Sequence, residues 1–466
     1  MLRKVYSRVL DWYTANSLVA LIPEWWALET LLELQKQLVI LPLVNRNYDK
    51  YFEEAGNVVN LNRTGNFTAI RKQRGEKVTV QQVTATGDTV ILNQHLHVSY
   101  YLDDQDERET LGVLRPKYIT KAAIALAEAM DMVMIGEAYN FLDSPAGKIG
   151  TDIGDQAVRD LSEIFTRNNC PRAGRNCIVG AASENMLLGI DRFVEARMIG
   201  DGKAIRNNEL GHLRGFDFFV ASQIPEVTAI TAKSVDTALN GNHAAGSSVL
   251  LITEGAAPPA VGQWISIATD LQPHRVTAYS DLGATGNMTI TPALNNAVAT
   301  GAVISIYTSG LVNHPSAGTY AYQYSGKIGT DGGTAENTLK VGQGICFASD
   351  TYRYTIMGVE INAGNVINIT LNRPLDAAVA NNCPLNPIPP ANYNLAFQKD
   401  AITFVNRPLK PAEAGTGVNA AWNSYGGIAI RVTIGYDQDY MGQKVTLDTL
   451  CGVKTLDTGM GGILLS

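Results

Sequence analysis

Residues Pro116 to Leu142, PKYITKAAIALAEAMDMVMIGEAYNFL, leave the chain few options. Proline is tolerated in the first turn of a helix, and no further proline occurs until Pro145. Apolar or small residues fall at Ile119, Ala123, Leu126, Met130 and Val133, the spacing of one α-helical face. Glu128, Asp131 and Glu137 interrupt the apolar character, so this is no membrane span. A straight helix of this length would reach on the order of 40 Å. Strand-like sequence flanks it on both sides, as for a beam against which sheets pack.

Before the beam, two textures alternate. Glu24 to Ile40, EWWALETLLELQKQLVI, is helical, and its apolar residues cover well over half the circumference. Such a helix needs cover on more than one side, from its own chain or from another, which makes Trp25 and Trp26 candidate contacts between subunits. From residue 65 to 102 the period becomes two. Val90, Leu92, Leu96 and Val98 point one way, and Ile91, Asn93, His95 and His97 the other. We expect a long two-stranded β-loop here, with a turn near Gly75, standing off the body. Two strands alone are marginal in water, so the loop is expected to pack on a partner. Its tip carries Arg71, Lys72 and Arg74, and the following segment carries Asp103, Asp104, Asp106, Glu107 and Glu109. The opposite blocks suit pairing between neighbouring chains and equally suit two solvated clusters.

After the beam the sequence reads as α+β. A helix is expected over Asp152–Arg167, a strand over 175–180, a second helix capped by Ser183, and a strand FDFFVA after a glycine turn. From about residue 226 to 391 helical periodicity vanishes. VGQWISIA (261–268) recurs as VGQGICFA (341–348), and GNMTITPALNNAV as GNVINITLNRPLDAAV, a repeat of about eighty residues. Each unit reads as about four short strands with glycine turns, a small barrel or sandwich. Past residue 392 the chain returns to its earlier character: NLAFQKDAITFVNRPL, then two alternating strands across YDQDYMGQK. The layout is one domain inserted in another.

The chemistry is sparse. HExxH and GxSxG are absent, and no GxGxxG follows a strand; GNHAAGSS lacks the phosphate-binding lysine. His95 and His97 share a strand face but have no third ligand nearby in sequence, so no metal site is expected, nor any catalytic or cofactor-binding residue. Charged residues are only 17% of the 466, and the net charge of −7 gives no basic field for gripping nucleic acid. The five scattered cysteines read as reduced thiols in a cytosolic setting. The apolar run LVALI is too short for a secretion signal, so export by that route is not expected.

In this order the elements resemble the major capsid protein of tailed bacteriophages, the HK97-type fold, and in its insertion the P22-type coat protein family. NNELGHLRGFDFFVASQIP, NLAFQKDAITFVNRPL and GIAIRVTIGYDQDYMGQKVTLDTLCGVKTLD carry the likeness. It implies an N-terminal helical arm (1–64), an extended β-loop (65–105), a spine helix with peripheral and axial α+β body (106–225), an inserted all-β domain (226–391) and strands completing the body (392–466). The implied function is a non-enzymatic subunit that self-assembles, as pentamers and hexamers, into an icosahedral shell around double-stranded DNA. The resemblance further implies a scaffolding protein and a portal protein as partners, no membrane and no cofactor, and assembly in the host cytoplasm into the virion capsid. It leaves open a decoration protein. An encapsulin-like nanocompartment shell and a β-rich fibre or adhesin are the alternatives; the β-insertion argues against the first and the long helix against the second.

Overall fold

A computed structural model describes residues 27–32, 34, 38–46, 58–64, 69–75, 77–78, 80–81, 85–190, 211–224, 233–253, 255, 258–307, 311–321, 324, 326–331, 339–350, 352–362, 366–375, 377–412, 418–425, 428–438 and 441–466. Trp25 and Trp26 lie outside them. Strands β1 (Val58–Thr64) and β2 (Ala85–Ile91) pair antiparallel, with Val58 opposite Ile91 and Thr64 opposite Ala85. The alternation expected to run through 90–98 as one strand is broken at Leu92 and Asn93, and β3 (Gln94–Asp103) starts beyond. A period of two continues unchanged across such a break, so the pattern alone does not show it.

Helix α1 spans Asp104–Gly136 and passes into a 3-10 turn, Glu137–Phe141. The helix therefore begins twelve residues before Pro116, and the acidic block opens it instead of preceding it. Carboxylates in a first turn complement the unpaired amides and the positive end of the helix dipole. Pro116 is an interior residue that interrupts one backbone bond, a local cost of about 3 kcal/mol, set against burial of the second half. All five residues of the expected stripe, Ile119, Ala123, Leu126, Met130 and Val133, are buried, and so are Ala122, Ala127 and Met134.

Strands β4 (Pro145–Gly147) and β5 (Arg175–Val179) flank α2 (Asp155–Arg167), and α3 (Ala181–Leu188) precedes β6 (His212–Leu213) and β7 (Phe216–Val220). Gly180, not Ser183, occupies the N-cap of α3. Ser183 is buried in the first turn, where its hydroxyl meets the Asn394 amide and the Ser466 hydroxyl.

The insertion is two barrels of one plan. The first has β8 (Lys233–Leu239), β9 (Val249–Thr253), β10 (Trp264–Ile267), β11 (Pro273–Asp281), β12 (Thr285–Thr291) and β13 (Val303–Tyr307), closed in the order β10-β11-β12-β9-β8-β13. The second has β14 (Leu311–Val312), β15 (Thr319–Tyr320), β16 (Ile328–Asp331), β17 (Gly344–Phe347), β18 (Tyr354–Ile361), β19 (Val366–Leu371), β20 (Val379–Ala380) and β21 (Leu385–Pro387). Its six-stranded order, β14-β16-β19-β18-β17-β21, repeats the first, and a bridge between Leu311 and Pro384 joins its two ends. The detail also repeats. A bulge at Val276/Ala278 recurs at Ile356/Gly358, and a turn bond from the Gly262 amide to the Val276 carbonyl recurs from Gly342 to Ile356. Six strands form each barrel where about four were expected; in the second, several have only two to four residues, too short to carry a period.

The chain then re-enters the body with β22 (Tyr393–Gln398), β23 (Ile402–Arg407), β24 (Val418–Tyr425), β25 (Ile428–Asp437), β26 (Gly442–Thr455) and β27 (Gly461–Leu465). One body sheet runs β4-β27-β22-β5-β7-β6 and is covered on both faces. Alternate residues divide between the layers: Cys177, Val179, Ala396 and Leu464 pack with Val158, Leu161 and Phe165 of α2. Ile178, Leu395, Phe397, Ile463 and Leu465 join the cluster holding Leu126 and Met130 of α1 and Leu31, Leu34 and Ile40. The second body sheet is five-stranded, β23-β26-β25-β24 with β3 along the other side of β26. So β3 belongs to the body, and the antiparallel arm is β1 with β2. Val432, Val445 and Leu447 bring this sheet onto Ile119 and Ala122 of α1.

The arm leaves the body where β2 crosses β26. A Cβ on Gly452 would lie 2.4 Å from the Ile91 carbonyl oxygen, so only glycine admits the crossing. Gly452→Ala is expected to push β2 off the sheet and to cost about 1–3 kcal/mol. Thermal unfolding would read the loss, and hydrogen exchange would place it in residues 85–91.

Candidate functional site

Between β1 and β2 the chain runs out to the tip of the arm. Arg71, Lys72 and Arg74 are exposed there, beside a turn at Gly75 with φ of 94°. They are accompanied by three apolar side chains that sequence reading passed over: Ile70 is 57% exposed, Val78 71% and Val80 87%. The tip therefore exposes aliphatic and cationic side chains together. Asp103 ends β3, and Asp104, Asp106, Glu107 and Glu109 lie in the opening turns of α1; their side chains are outside the described part of the structure.

His95 and His97 stand on the exposed face of β3, as their alternation required. His95 Nε2 lies 2.9 Å from Asp448 Oδ2, and the Arg431 guanidinium grips the same carboxylate through two nitrogens. Asp448 is thus satisfied by neighbours in its own sheet. Among the described residues no three His, Cys, Asp or Glu side chains converge to hold a metal. No described helix is long and apolar enough to cross a membrane. The five cysteines are free and buried, and burial pushes the Cys177 and Cys451 thiols up to about 12, far from nucleophilic readiness.

The strongest polar cluster is a joint. Where α1 gives way to its 3-10 turn, Glu137 is 2% exposed and pairs at 3.2 Å with Arg373 of the second barrel. Its other oxygen accepts from Asn140 and from Thr455 of β26. Arg353 donates to the Tyr139 carbonyl and to Asp143, and the Tyr139 hydroxyl donates to the Gly342 carbonyl. Gly344 leaves room for the Tyr139 ring, since a Cβ there would stand 2.6 Å from it. The small cleft beside this joint, lined by Met132, Ile135, Tyr139 and Tyr393, has no charged wall for a polar substrate to grip. The first barrel docks in turn on the second: Trp264 Nε1 donates to Cys346 Sγ at 3.3 Å, and the Arg353 guanidinium lies 5.2 Å from the indole. The arrangement can transmit position between helix, sheet and barrels; it holds no nucleophile–base pair.

Two further buried acids hold elements together. Asp270 of the first barrel pairs with His274, both fully buried. The His274 Nδ1 faces the Pro292 carbonyl, an obligate acceptor, so that nitrogen carries a proton while Nε2 faces the carboxylate. Burial works to raise the Asp270 carboxyl, yet the bond and charge of His274 and donors from Asn295 and Asn296 hold it below the ordinary value. The second barrel repeats the device with Asp350 and the Tyr354 hydroxyl.

Asp131 on α1 receives the amides of Val39 and Ile40 and so ties the N-terminal segment to the beam. Burial raises its carboxyl from 3.8 to about 6, against the lowering pull of those two amides. The folded protein therefore holds this proton more tightly than the unfolded chain. Stability from this group is full below pH 4 and is lost as pH rises through 6, a swing of about 3 kcal/mol. Asp131→Asn is expected to flatten that slope, which urea unfolding at pH 4.5 and pH 7 would measure.

No protein-family profile matches the chain, and no curated protein does. Solved structures do resemble it. A structure titled "Mycobacterium phage Che8" matches at 13% identity and TM-score 0.43, over 92% of this chain and 91% of that one. The capsid structure of cyanophage P-SCSP1u matches at 10% identity and TM-score 0.40, over 88% and 84%. The capsid of Ralstonia phage GP4 matches at 7% identity and TM-score 0.40, over 91% and 87%.

Proposed function

We propose that this chain is the structural subunit of an icosahedral phage head, self-assembling into the shell that encloses double-stranded DNA. The observation that carries the reading is the arm: a two-stranded projection anchored at Gly452 whose tip exposes Ile70, Val78 and Val80 beside Arg71, Lys72 and Arg74. Such a tip gains its burial on a neighbouring subunit. The acidic opening of α1, from Asp103 through Glu109, offers a seat of matching charge on that neighbour. Low charge elsewhere fits a protein that works through contact area.

In this reading the N-terminal arm ends before β1, with Trp25 and Trp26 as contacts between subunits, and the extended loop runs from β1 through β2, 58–91, while β3 joins the body. Residues 106–225 and 392–466 form the peripheral and axial body, and 226–391 the insertion. The subunits close as pentamers and hexamers, helped by a scaffolding protein and ended at a portal protein, in the host cytoplasm. The net charge of −7 lets the wall line DNA without gripping it. Electron microscopy and sedimentation of the protein, expressed alone and with a candidate scaffold, test the reading. Round shells, sheets or tubes are expected; a monodisperse monomer under both conditions would overturn it.

A further inference from the structure

Strand β24 is a long strand whose open edge carries none of the usual defences. A strand with an unpaired edge offers a row of free amides and carbonyls to any other strand, and proteins blunt such edges with charges, prolines or bulges. Among the described residues β24 pairs with β25 alone, residue for residue from Val418 opposite Gly435 to Tyr425 opposite Ile428, without a bulge. Its eight residues, VNAAWNSY, include no charge and no proline. The strands of the arm carry Arg63 and Asp88, and β3 carries two histidines and Asp103. On β24 Asn419 and Ser424 are exposed and Trp422 is 46% exposed, an open indole on an undefended edge.

We infer that β24 is a seam that pairs antiparallel with β24 of a second copy, about a two-fold axis through Ala421. The residue pattern names the occupant. A two-fold axis normal to a sheet keeps the same face up in both copies, so a residue pairs with its mirror position about one central residue. Centred on Ala421, the methyl groups of the two copies meet at the axis. Trp422 then lies opposite Ala420, large beside small on one face. Asn419 lies opposite Asn423, amide beside amide, and Val418 opposite Ser424. Centring on Trp422 instead would force two indoles together and leave both alanines beside polar residues. The self-matched register joins two five-stranded sheets into one of ten strands, near the upper end of ordinary sheet sizes. The inference rests on the shell reading above and gives it a contact between subunits separate from the arm.

Ala421→Cys tests it directly, because the five native thiols are buried and one engineered thiol meets its own copy across the axis. The variant would be oxidised, or joined with a short bis-thiol reagent, both in assembled particles and as concentrated unassembled subunit. A covalent dimer is expected, since pairing about the axis brings the two copies of residue 421 face to face. Particles that yield no dimer overturn the seam and leave the shell reading intact. A dimer from subunits that never form particles keeps the seam and removes the shell. No dimer in either state overturns the seam.

Charge variants give a second readout. Ala421→Lys and Ala421→Glu each set like charges opposite one another at the axis, and each alone is expected to lower particle yield by roughly tenfold or more. Co-expressed, the two variants place opposite charges across the axis, and yield should recover. Folded single variants with normal yield would overturn the proposal, as would a mixture no better than either alone.

Discussion

Replacing Arg373 with methionine should cost the subunit about 3–5 kcal/mol, the usual penalty for leaving a buried charge without its partner. Glu137 would keep its bonds to Asn140 and Thr455 but lose the guanidinium 3.2 Å away. The second barrel would also lose the stacking of that guanidinium over Tyr352 and Tyr354, at 5.1 and 5.6 Å. Urea unfolding would show a lower midpoint at pH 7. Pairing the change with Glu137→Gln should restore much of the loss, because the uncompensated charge is then gone. If the double variant were no better than the single one, packing rather than charge would be what Arg373 supplies. The joint lies where the helix, the body sheet and the insertion meet, so its failure should loosen all three together rather than free the barrels alone.

Deleting residues 70–76 should abolish closed particles while leaving a folded monomer. The deletion removes Ile70 and the three cations Arg71, Lys72 and Arg74 but leaves the β1–β2 ladder and the Gly452 crossing in place. Circular dichroism and thermal unfolding should match the parent within about 0.5 kcal/mol, as for surface changes in general. Electron microscopy should show open fragments or free subunits. Normal particles would mean that the arm tip does not bridge neighbours.

The buried half of α1 was legible because a helix packed on two sides repeats its apolar residues on the helical period. Its acidic first half was not: carboxylates that suit a helix N-terminus also suit a solvated loop. The division between β2 and β3 was hidden for a different reason, since a turn that preserves alternation leaves no mark. Duplication of the insertion showed in VGQWISIA and VGQGICFA, which supply the same turn and inner strand of each barrel. The minor strands did not, having two residues apiece in β14, β15 and β20. Of the candidate contacts, the cations at the tip are as exposed as expected, and the aliphatic trio around them was missed. Ile70 is divided from Val78 and Val80 by the turn at Gly75, and only their exposure distinguishes the three from core residues. Nothing in sequence separates Asp270 and His274 from surface polar residues; their pairing depends on the barrel closing around them.

The first barrel begins and ends at one doorway. Lys233 at its first strand lies opposite Tyr307 at its last, which sets the two backbones about 5 Å apart. A chain that enters and leaves at neighbouring points can exchange what lies between without moving either backbone end, provided the contacts Trp264 makes with Cys346 and Arg353 are replaced. That makes the pair a natural port: a linker of a few residues could close it, and an unrelated domain with adjacent termini could be grafted in. A lattice of such subunits would then display the graft once per copy, at a spacing ruled by the frame rather than by the passenger.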